Sequence, residues 1–118
     1  MANSFVTNLY PKPTGGTSLR KMIVDSTSAA HTILGDSTVN DGSDTAGSTS
    51  FNSLTKYIVL DVQDADVFVT YDGTTPNANY GHRLYAGRSY TWSKIAATEA
   101  KFVAVGSNAV IQSSEYTD

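Results

Sequence analysis

The stretch between residues 57 and 72 constrains the fold more than any other part of this sequence. It holds two runs of β-branched and aromatic residues in which apolar side chains recur at every second position, the period of a strand and not of a helix. Asp64 and Ala65 lie between the runs, where the chain can reverse, so we predict an antiparallel hairpin. The side chains expected to face the core from its two strands are Ile58, Leu60, Val62, Val67 and Val69.

Six further segments have the strand pattern, and Gly, Asn, Asp or Ser residues separate most of them. They lie at about residues 21–25, 29–34, 82–85, 88–93, 100–105 and 109–113, and the last two are predicted to form a hairpin. Ser93 is predicted to cap a single helical turn over 94–97. Additional core residues expected from these segments are Leu84, Tyr90, Trp92 and Phe102. Short strands without a long helix predict an all-β fold, a small antiparallel β-sandwich or barrel.

Two segments depart from this pattern. Residues 1–19 contain two prolines and no persistent period, which predicts an extended N-terminal arm that binds a partner. Its apolar, partner-binding residues are Phe5, Val6, Leu9 and Tyr10. The alternative is a short first strand on the domain's own sheet. Residues 35–50 are rich in Gly, Ser, Thr and Asp, which predicts a long loop. The expected organisation is the arm at 1–19 followed by a single β-domain at 20–118.

Length and composition exclude several classes of function. A chain of 118 residues has room for one domain with one core. Its formal net charge of −3, with basic residues scattered singly, disfavours nucleic acid and anionic membranes as partners. The absence of cysteine excludes disulfides and thiolate chemistry. Neither a membrane-spanning run nor a signal-peptide pattern is present in the sequence, so secretion is not expected.

Candidate catalytic and metal-binding residues are few. His31 and His82 are the only histidines, and because neither has a second ligand at a zinc spacing, both are predicted to lie on strand surfaces. Asp36, Asp41 and Asp44 lack the 12-residue calcium pattern that ends in Glu, which favours Asx turns. The sequence contains no G-x-S-x-G elbow for a serine nucleophile. We therefore expect no catalytic residues, no metal, no cofactor and no small-molecule substrate.

An aromatic set in the second half of the chain permits two interpretations. Its members are Tyr71, Tyr80, Tyr85, Tyr90 and Trp92. Flat rings on a sandwich surface can stack on sugar rings, which would make the set a carbohydrate-binding face. Alternating aromatic residues also fill the core and form cross-strand pairs in small sheets, and we favour this second interpretation.

The sequence of residues 67–116 contains a series of short motifs that resembles a known type of β-domain. They run from a strand into Tyr71-Asp72-Gly73 and Pro76, continue through Gly81-His82-Arg83-Leu84-Tyr85 with Ala86-Gly87 and Tyr90-Thr91-Trp92, and end with Ala100-Lys101-Phe102-Val103 before a closing hairpin. This stretch, under half of the chain, resembles a short β-domain in small virion structural proteins of tailed bacteriophages.

The resemblance implies a non-enzymatic virion structural protein, and among these a head decoration (cement) protein that binds and stabilises the capsid. The implied partner is the major capsid protein, the implied location is the capsid surface after synthesis in the host cytoplasm, and a homo-oligomer is expected. Two alternatives remain open. One is a carbohydrate-binding adhesion module on a phage fibre, and the other is a structural component of the neck or tail.

Overall fold

The computed structural model describes residues 19–27, 29–39 and 50–117. Their secondary structure, in chain order, is β1 Leu19–Val24, α1 Ile33–Asp36, β2 Thr38–Val39, β3 Tyr57–Gln63, β4 Val67–Thr70, β5 His82–Leu84, β6 Ser89–Ser93, α2 Lys94–Glu99, β7 Lys101–Ala104 and β8 Ala109–Tyr116. The sequence predictions that fall outside the described residues are those for Phe5, Val6, Leu9, Tyr10, Asp41 and Asp44. Leu19, predicted as the last residue of the arm, is the first residue of β1.

The strands form two antiparallel sheets, which confirms the predicted all-β class and identifies it as a sandwich. The larger sheet has the order β2-β1-β8-β3-β6, and the smaller sheet has the order β5-β4-β7. The last strand, β8, lies between β1 and β3 and pairs with both along most of its length.

One hydrophobic core lies between the two sheets. Alternate residues of each strand point inward, so β3 and β4 contribute their predicted apolar sets from opposite sides of the core. The predicted core residues that the structure buries are Ile58, Leu60, Val62, Val67, Val69, Leu84 and Phe102. Tyr90 and Trp92 pack against the core but are only half-buried, because β6 is the edge strand of the larger sheet.

The predicted hairpin around Asp64 is wrong. β3 pairs with β6 and β8 in the larger sheet, whereas β4 pairs with β5 and β7 in the smaller one. Asp64 has a φ of 72° and Ala65 is buried, so the chain turns here across the end of the sandwich from one sheet into the other. The recurrence of apolar side chains at every second position indicates which side chains of a strand point inward. It does not indicate which other strand pairs with it.

The predicted closing hairpin is wrong for the same reason. β7 belongs to the smaller sheet and β8 to the larger one, so residues 105–108 connect the sheets. Gly106 in this connection has a φ of 81°, a backbone conformation that residues with a Cβ rarely adopt. The connection from β5 to β6 also crosses between the sheets. All three short connections between consecutive strands in this half of the chain therefore join the two layers.

The region predicted as a strand at 29–34 and a loop from residue 35 has a different structure. His31 makes a single β-bridge with Phe102, after which the chain enters α1. The hydroxyl of Thr32 accepts a hydrogen bond from the Gly35 N–H at 3.1 Å and caps this helical turn. β2 then pairs with β1, so part of the predicted loop is ordered secondary structure.

The predicted helical turn after Ser93 is confirmed. The Ser93 hydroxyl accepts a hydrogen bond from the Ala96 N–H at 3.1 Å, and α2 continues to Glu99. The helix buries Ala97 against the core.

Candidate functional site

A buried ion pair holds the segment that precedes β3. Arg20 of β1 and Glu115 of β8 lie on neighbouring strands with 3.4 Å between Nη2 and Oε2, and both side chains are buried. The other carboxylate oxygen of Glu115 accepts hydrogen bonds from the Asn52 N–H and from the Thr55 hydroxyl, each at 2.7 Å. A buried carboxylate is stable only with such partners, so these contacts fix the segment to the sheet. Sequence reasoning assigned no role to Glu115, because its donors lie about 60 and 95 residues away.

The fixed segment presents an exposed aliphatic residue, Leu54, at one end of the sandwich. Its side chain is 69% exposed, and that of Ile95 in the first turn of α2 is 75% exposed. The two regions are joined by a hydrogen bond of 3.1 Å from the Lys94 N–H to the Lys56 carbonyl. Leu19, the first residue of β1, is also exposed. We call Leu19, Leu54 and Ile95 the apolar end.

The sheet register places Leu19 at this same end. Leu19 pairs with Ser114 of β8, and two residues further along β8 Tyr116 pairs with Tyr57. The Tyr57 and Tyr116 rings are stacked with 6.0 Å between centroids, and the Tyr116 carbonyl accepts a bond from the Lys56 N–H at 2.8 Å. Leu19 is also the last residue of the predicted arm, so the arm joins the body at the apolar end.

A second surface feature is a cleft of about 400 Å³ next to the ends of β4 and β5. Its walls are Tyr71, Asp72, Tyr80, Gly81 and His82, and the buried residues Val69 and Thr70 form its floor. The Tyr71 side chain is 38% exposed and that of Tyr80 is 52% exposed. We call this feature the tyrosine cleft.

Tyr71 is anchored to the core through a chain of aromatic rings. Its ring meets Trp92 edge-on, with 5.3 Å between centroids and an interplanar angle of 76°. Trp92 in turn stacks on the fully buried Phe102 with 5.7 Å between centroids. His82 lies on the other side, its ring tilted at 6.0 Å from that of Tyr71. Such offset and edge-on pairs are the preferred geometries of aromatic rings, so Tyr71 is held in place.

Tyr80 is held by its backbone and by its hydroxyl group. The backbone groups of Tyr80 and Asn77 exchange two hydrogen bonds, of 2.9 and 3.2 Å, which close a tight turn. The Tyr80 hydroxyl donates a short hydrogen bond to Oδ2 of Asp72. Gly81 follows with a φ of 134°, and a Cβ at this position would lie 3.0 Å from the Val69 carbonyl oxygen. The wall of the cleft therefore requires glycine here.

Asp72 is an ionised acceptor at the rim of the cleft. Its Oδ1 accepts from the hydroxyl of Thr74 at 2.6 Å and from the Thr74 N–H at 3.1 Å. These bonds and the bond from the Tyr80 hydroxyl lower the pKa of Asp72 from its ordinary 3.8 to about 2. The same contact with Asp72 raises the pKa of Tyr80, so the phenol remains protonated at neutral pH.

The interpretation that the aromatic set fills the core and forms cross-strand pairs is wrong for three of its five members. Tyr71 and Tyr80 line the cleft, and Tyr85 is exposed with its ring beneath the guanidinium groups of Arg83 and Arg88, at 5.6 and 5.8 Å. Tyr71, Tyr80 and Tyr85 all lie outside the strands, where alternation does not determine which way a side chain points.

The two histidines differ in their surroundings. His82 lies on exposed β5 as predicted, whereas His31 is half-buried and not on a strand surface. Nε2 of His31 lies 3.1 Å from Oδ1 of Asp25, and Nδ1 lies 3.8 Å from Oδ1 of Asp36. The bond with His31 is the main reason that the pKa of Asp25 is lowered. The carboxylates face different ring nitrogens, so this arrangement orients the ring.

Residues 19–27, 29–39 and 50–117 contain both histidines of the sequence, His31 and His82. In this part of the chain neither histidine ring is hydrogen-bonded to a Ser or Thr hydroxyl. No group of three His, Asp or Glu side chains in these ranges is arranged to hold a metal ion. None of the helices described is long and apolar enough to cross a membrane.

No family model, curated protein or solved structure matches this chain.

Proposed function

We propose that this protein is a non-enzymatic structural protein of the tailed-bacteriophage virion, a head decoration protein that binds the shell of major capsid protein and stabilises it. The observation that carries the proposal is the apolar end. Two highly exposed aliphatic side chains, Leu54 and Ile95, lie where the predicted binding arm joins a small β-body. A partner that covers this end of the β-body would remove both side chains from water, which favours association.

The apolar end has the properties of a pre-organised contact surface. Glu115 fixes the segment that carries Leu54, and the Ser93 cap fixes the helical turn that carries Ile95. Neither backbone segment needs to be ordered when a partner binds, which lowers the entropic cost of association.

The apolar end on its own supports only weak binding. Burying a Leu or Ile side chain contributes about 1.5–3 kcal/mol, so Leu54 and Ile95 together contribute roughly 3–6 kcal/mol. The loss of translational and rotational freedom costs an estimated 4–15 kcal/mol. Stable binding to a capsid therefore needs more than these two side chains. The arm adds contacts, and a homo-oligomer engages several sites at once, so together they offset the remaining cost of association.

The resemblance of residues 67–116 to phage virion proteins supports the same proposal. In this view the protein is made in the host cytoplasm and is added to the outer surface of the head. Contacts that span neighbouring capsid subunits then resist the internal pressure of packaged DNA.

Binding to capsids that lack the protein tests the proposal. The test variant is Leu54→Gln with Ile95→Gln, which keeps side-chain length and removes apolar surface. The matched control is Ile23→Thr, a change at an exposed aliphatic residue of β1 that pairs near the opposite end of β8. Co-sedimentation should show at least about tenfold weaker binding for the double variant, since 1.4 kcal/mol already corresponds to tenfold. The control should bind as the wild type does.

Two results would overturn the proposal. One is wild-type binding by a double variant that has a wild-type melting temperature. The other is the location of the protein in electron micrographs of labelled particles, where label at the neck or tail would identify it as a component of those structures.

A further inference from the structure

The tyrosine cleft has the size and shape of a small-molecule site. Its volume of about 400 Å³ falls within the roughly 300–1,000 Å³ that is typical of ligand pockets. Tyr71 and Tyr80 both line it, and both rings remain substantially exposed although neighbouring groups hold them in place. Exposed aromatic rings in a fixed position cost little conformational entropy when a ligand binds.

The exposed rings favour a ligand with a flat array of C–H bonds. The face of an aromatic ring carries partial negative charge, which attracts the weakly positive C–H groups on the apolar side of a sugar ring. Neither Tyr71 nor Tyr80 belongs to the buried core, although Tyr71 contacts Trp92, which stacks on Phe102.

The rim of the cleft provides two adjacent hydrogen-bond acceptors. Oδ1 of Asp72 accepts two hydrogen bonds from Thr74, whereas Oδ2 accepts one side-chain hydrogen bond, from the Tyr80 hydroxyl. The Tyr80 hydroxyl donates its proton to Asp72 and also contacts the Thr74 side chain, which leaves one lone pair on its oxygen that can accept. Two neighbouring acceptors match two neighbouring hydroxyl donors on a ligand.

The local charge favours a neutral ligand. Nζ of Lys101 donates to the Gly73 carbonyl at 3.0 Å, which places an ammonium group beside the residue that follows Asp72. The positive charge of Lys101 opposes a cationic ligand, and the carboxylate of Asp72 opposes an anionic one.

From these features we infer that the tyrosine cleft binds a neutral saccharide. A sugar ring stacks against Tyr71 and Tyr80, and two adjacent hydroxyl groups donate to Oδ2 of Asp72 and to the Tyr80 hydroxyl. The site is distinct from the apolar end, so it gives the protein a binding activity in addition to capsid attachment. On a virion surface it would hold the particle to glycans.

Saturation-transfer difference NMR tests the inference with the full-length protein. The probes are the methyl glycosides of glucose, galactose and mannose, together with maltotriose and chitotriose, and tetramethylammonium serves as a cationic probe. The test variants are Tyr80→Ala, Tyr80→Phe and Asp72→Asn. The matched control is Tyr85→Ala, because Tyr85 is 50% exposed and lies outside the cleft.

We expect at least one neutral sugar to bind. Its affinity should fall at least about tenfold in Tyr80→Ala, and less in Tyr80→Phe and Asp72→Asn, which keep the ring. It should not change in Tyr85→Ala. If Tyr80→Ala fails to fold, the comparison of Tyr80→Phe with Tyr85→Ala decides. The inference is overturned if no sugar in the panel binds, if binding is unaffected by every cleft variant, or if tetramethylammonium binds and the sugars do not.

Discussion

Replacing Phe102 or Trp92 with alanine should destabilise the protein to different extents, because the two side chains differ in how deeply they are buried. Phe102 is fully buried in β7, opposite Val69 of β4. Trp92 stacks on it from the edge strand β6 and remains half-buried. Truncation of Phe102 therefore removes a whole side chain from the interior, whereas truncation of Trp92 removes one that is partly solvated in the folded state.

We expect Phe102→Ala to reduce the free energy of unfolding by about 3–5 kcal/mol, the usual cost for a buried aromatic residue. The chain lies between the size classes for which 1 kcal/mol shifts the melting temperature by about 4–8 °C and by about 2–4 °C, so the decrease should be on the order of 10–30 °C. Trp92→Ala should cost less than Phe102→Ala, because part of the Trp92 side chain already contacts water in the folded state. Phe102→Leu, which keeps most of the volume, should cost about 1–1.5 kcal/mol.

Urea unfolding followed by far-UV circular dichroism provides the measurement. Tryptophan fluorescence is unsuitable, because the single tryptophan is in contact with the mutated residue. The denaturant slope must remain constant among the variants for the comparison to hold. Near-wild-type stability of Phe102→Ala, or a larger loss for Trp92→Ala than for Phe102→Ala, would refute this account of the core.

Three further predictions concern other parts of the chain. Glu115→Ala should destabilise the protein by roughly 3–5 kcal/mol in urea unfolding, because it removes the buried acceptor of Arg20, Asn52 and Thr55; a loss below about 1 kcal/mol would contradict the role given to the ion pair. Deleting residues 2–16 should leave the melting temperature little changed and sharply weaken capsid binding; unfolding would mean that the arm is the domain's own first strand, and wild-type occupancy would confine the interface to the β-body. Because the folded-state pKa of Asp72 is about 2 and its ordinary value is 3.8, its contribution to stability is complete above pH of about 4 and is lost as the pH falls towards 2. The difference in melting temperature between the wild type and Asp72→Asn should therefore shrink over that range, and a constant difference would contradict the assigned hydrogen bonds.

The strands and most of the core could be predicted from the sequence because both depend on local pattern. The alternation of Ile58, Leu60 and Val62 is sufficient to place them on one face of a strand. Ser93 predicted a helix start because its capping bond reaches only three residues along the chain. Features that are determined within a few residues can be inferred from a single sequence.

The pairing of strands and the candidate site could not be predicted, because both depend on contacts between distant residues. The turn at Asp64 is as short as a hairpin turn, and only the partners of β3 and β4 show that it joins two sheets. Tyr71 and Tyr80 are nine residues apart in sequence. The hydrogen bond from the Tyr80 hydroxyl to Asp72 holds Tyr80 close to the residue that follows Tyr71. No periodicity in the sequence indicates that bond.

The central position of β8 in the larger sheet has a consequence for biosynthesis. A ribosome releases β1 and β3 well before β8, yet both strands hydrogen-bond mainly to β8 or to later segments. Until β8 emerges, the edges of β1 and β3 that β8 will cover remain unpaired, and such edges can pair with other chains. The larger sheet therefore lacks its central strand until β8 has been translated. A chain that stops within β8 loses the strand that joins the two halves of that sheet.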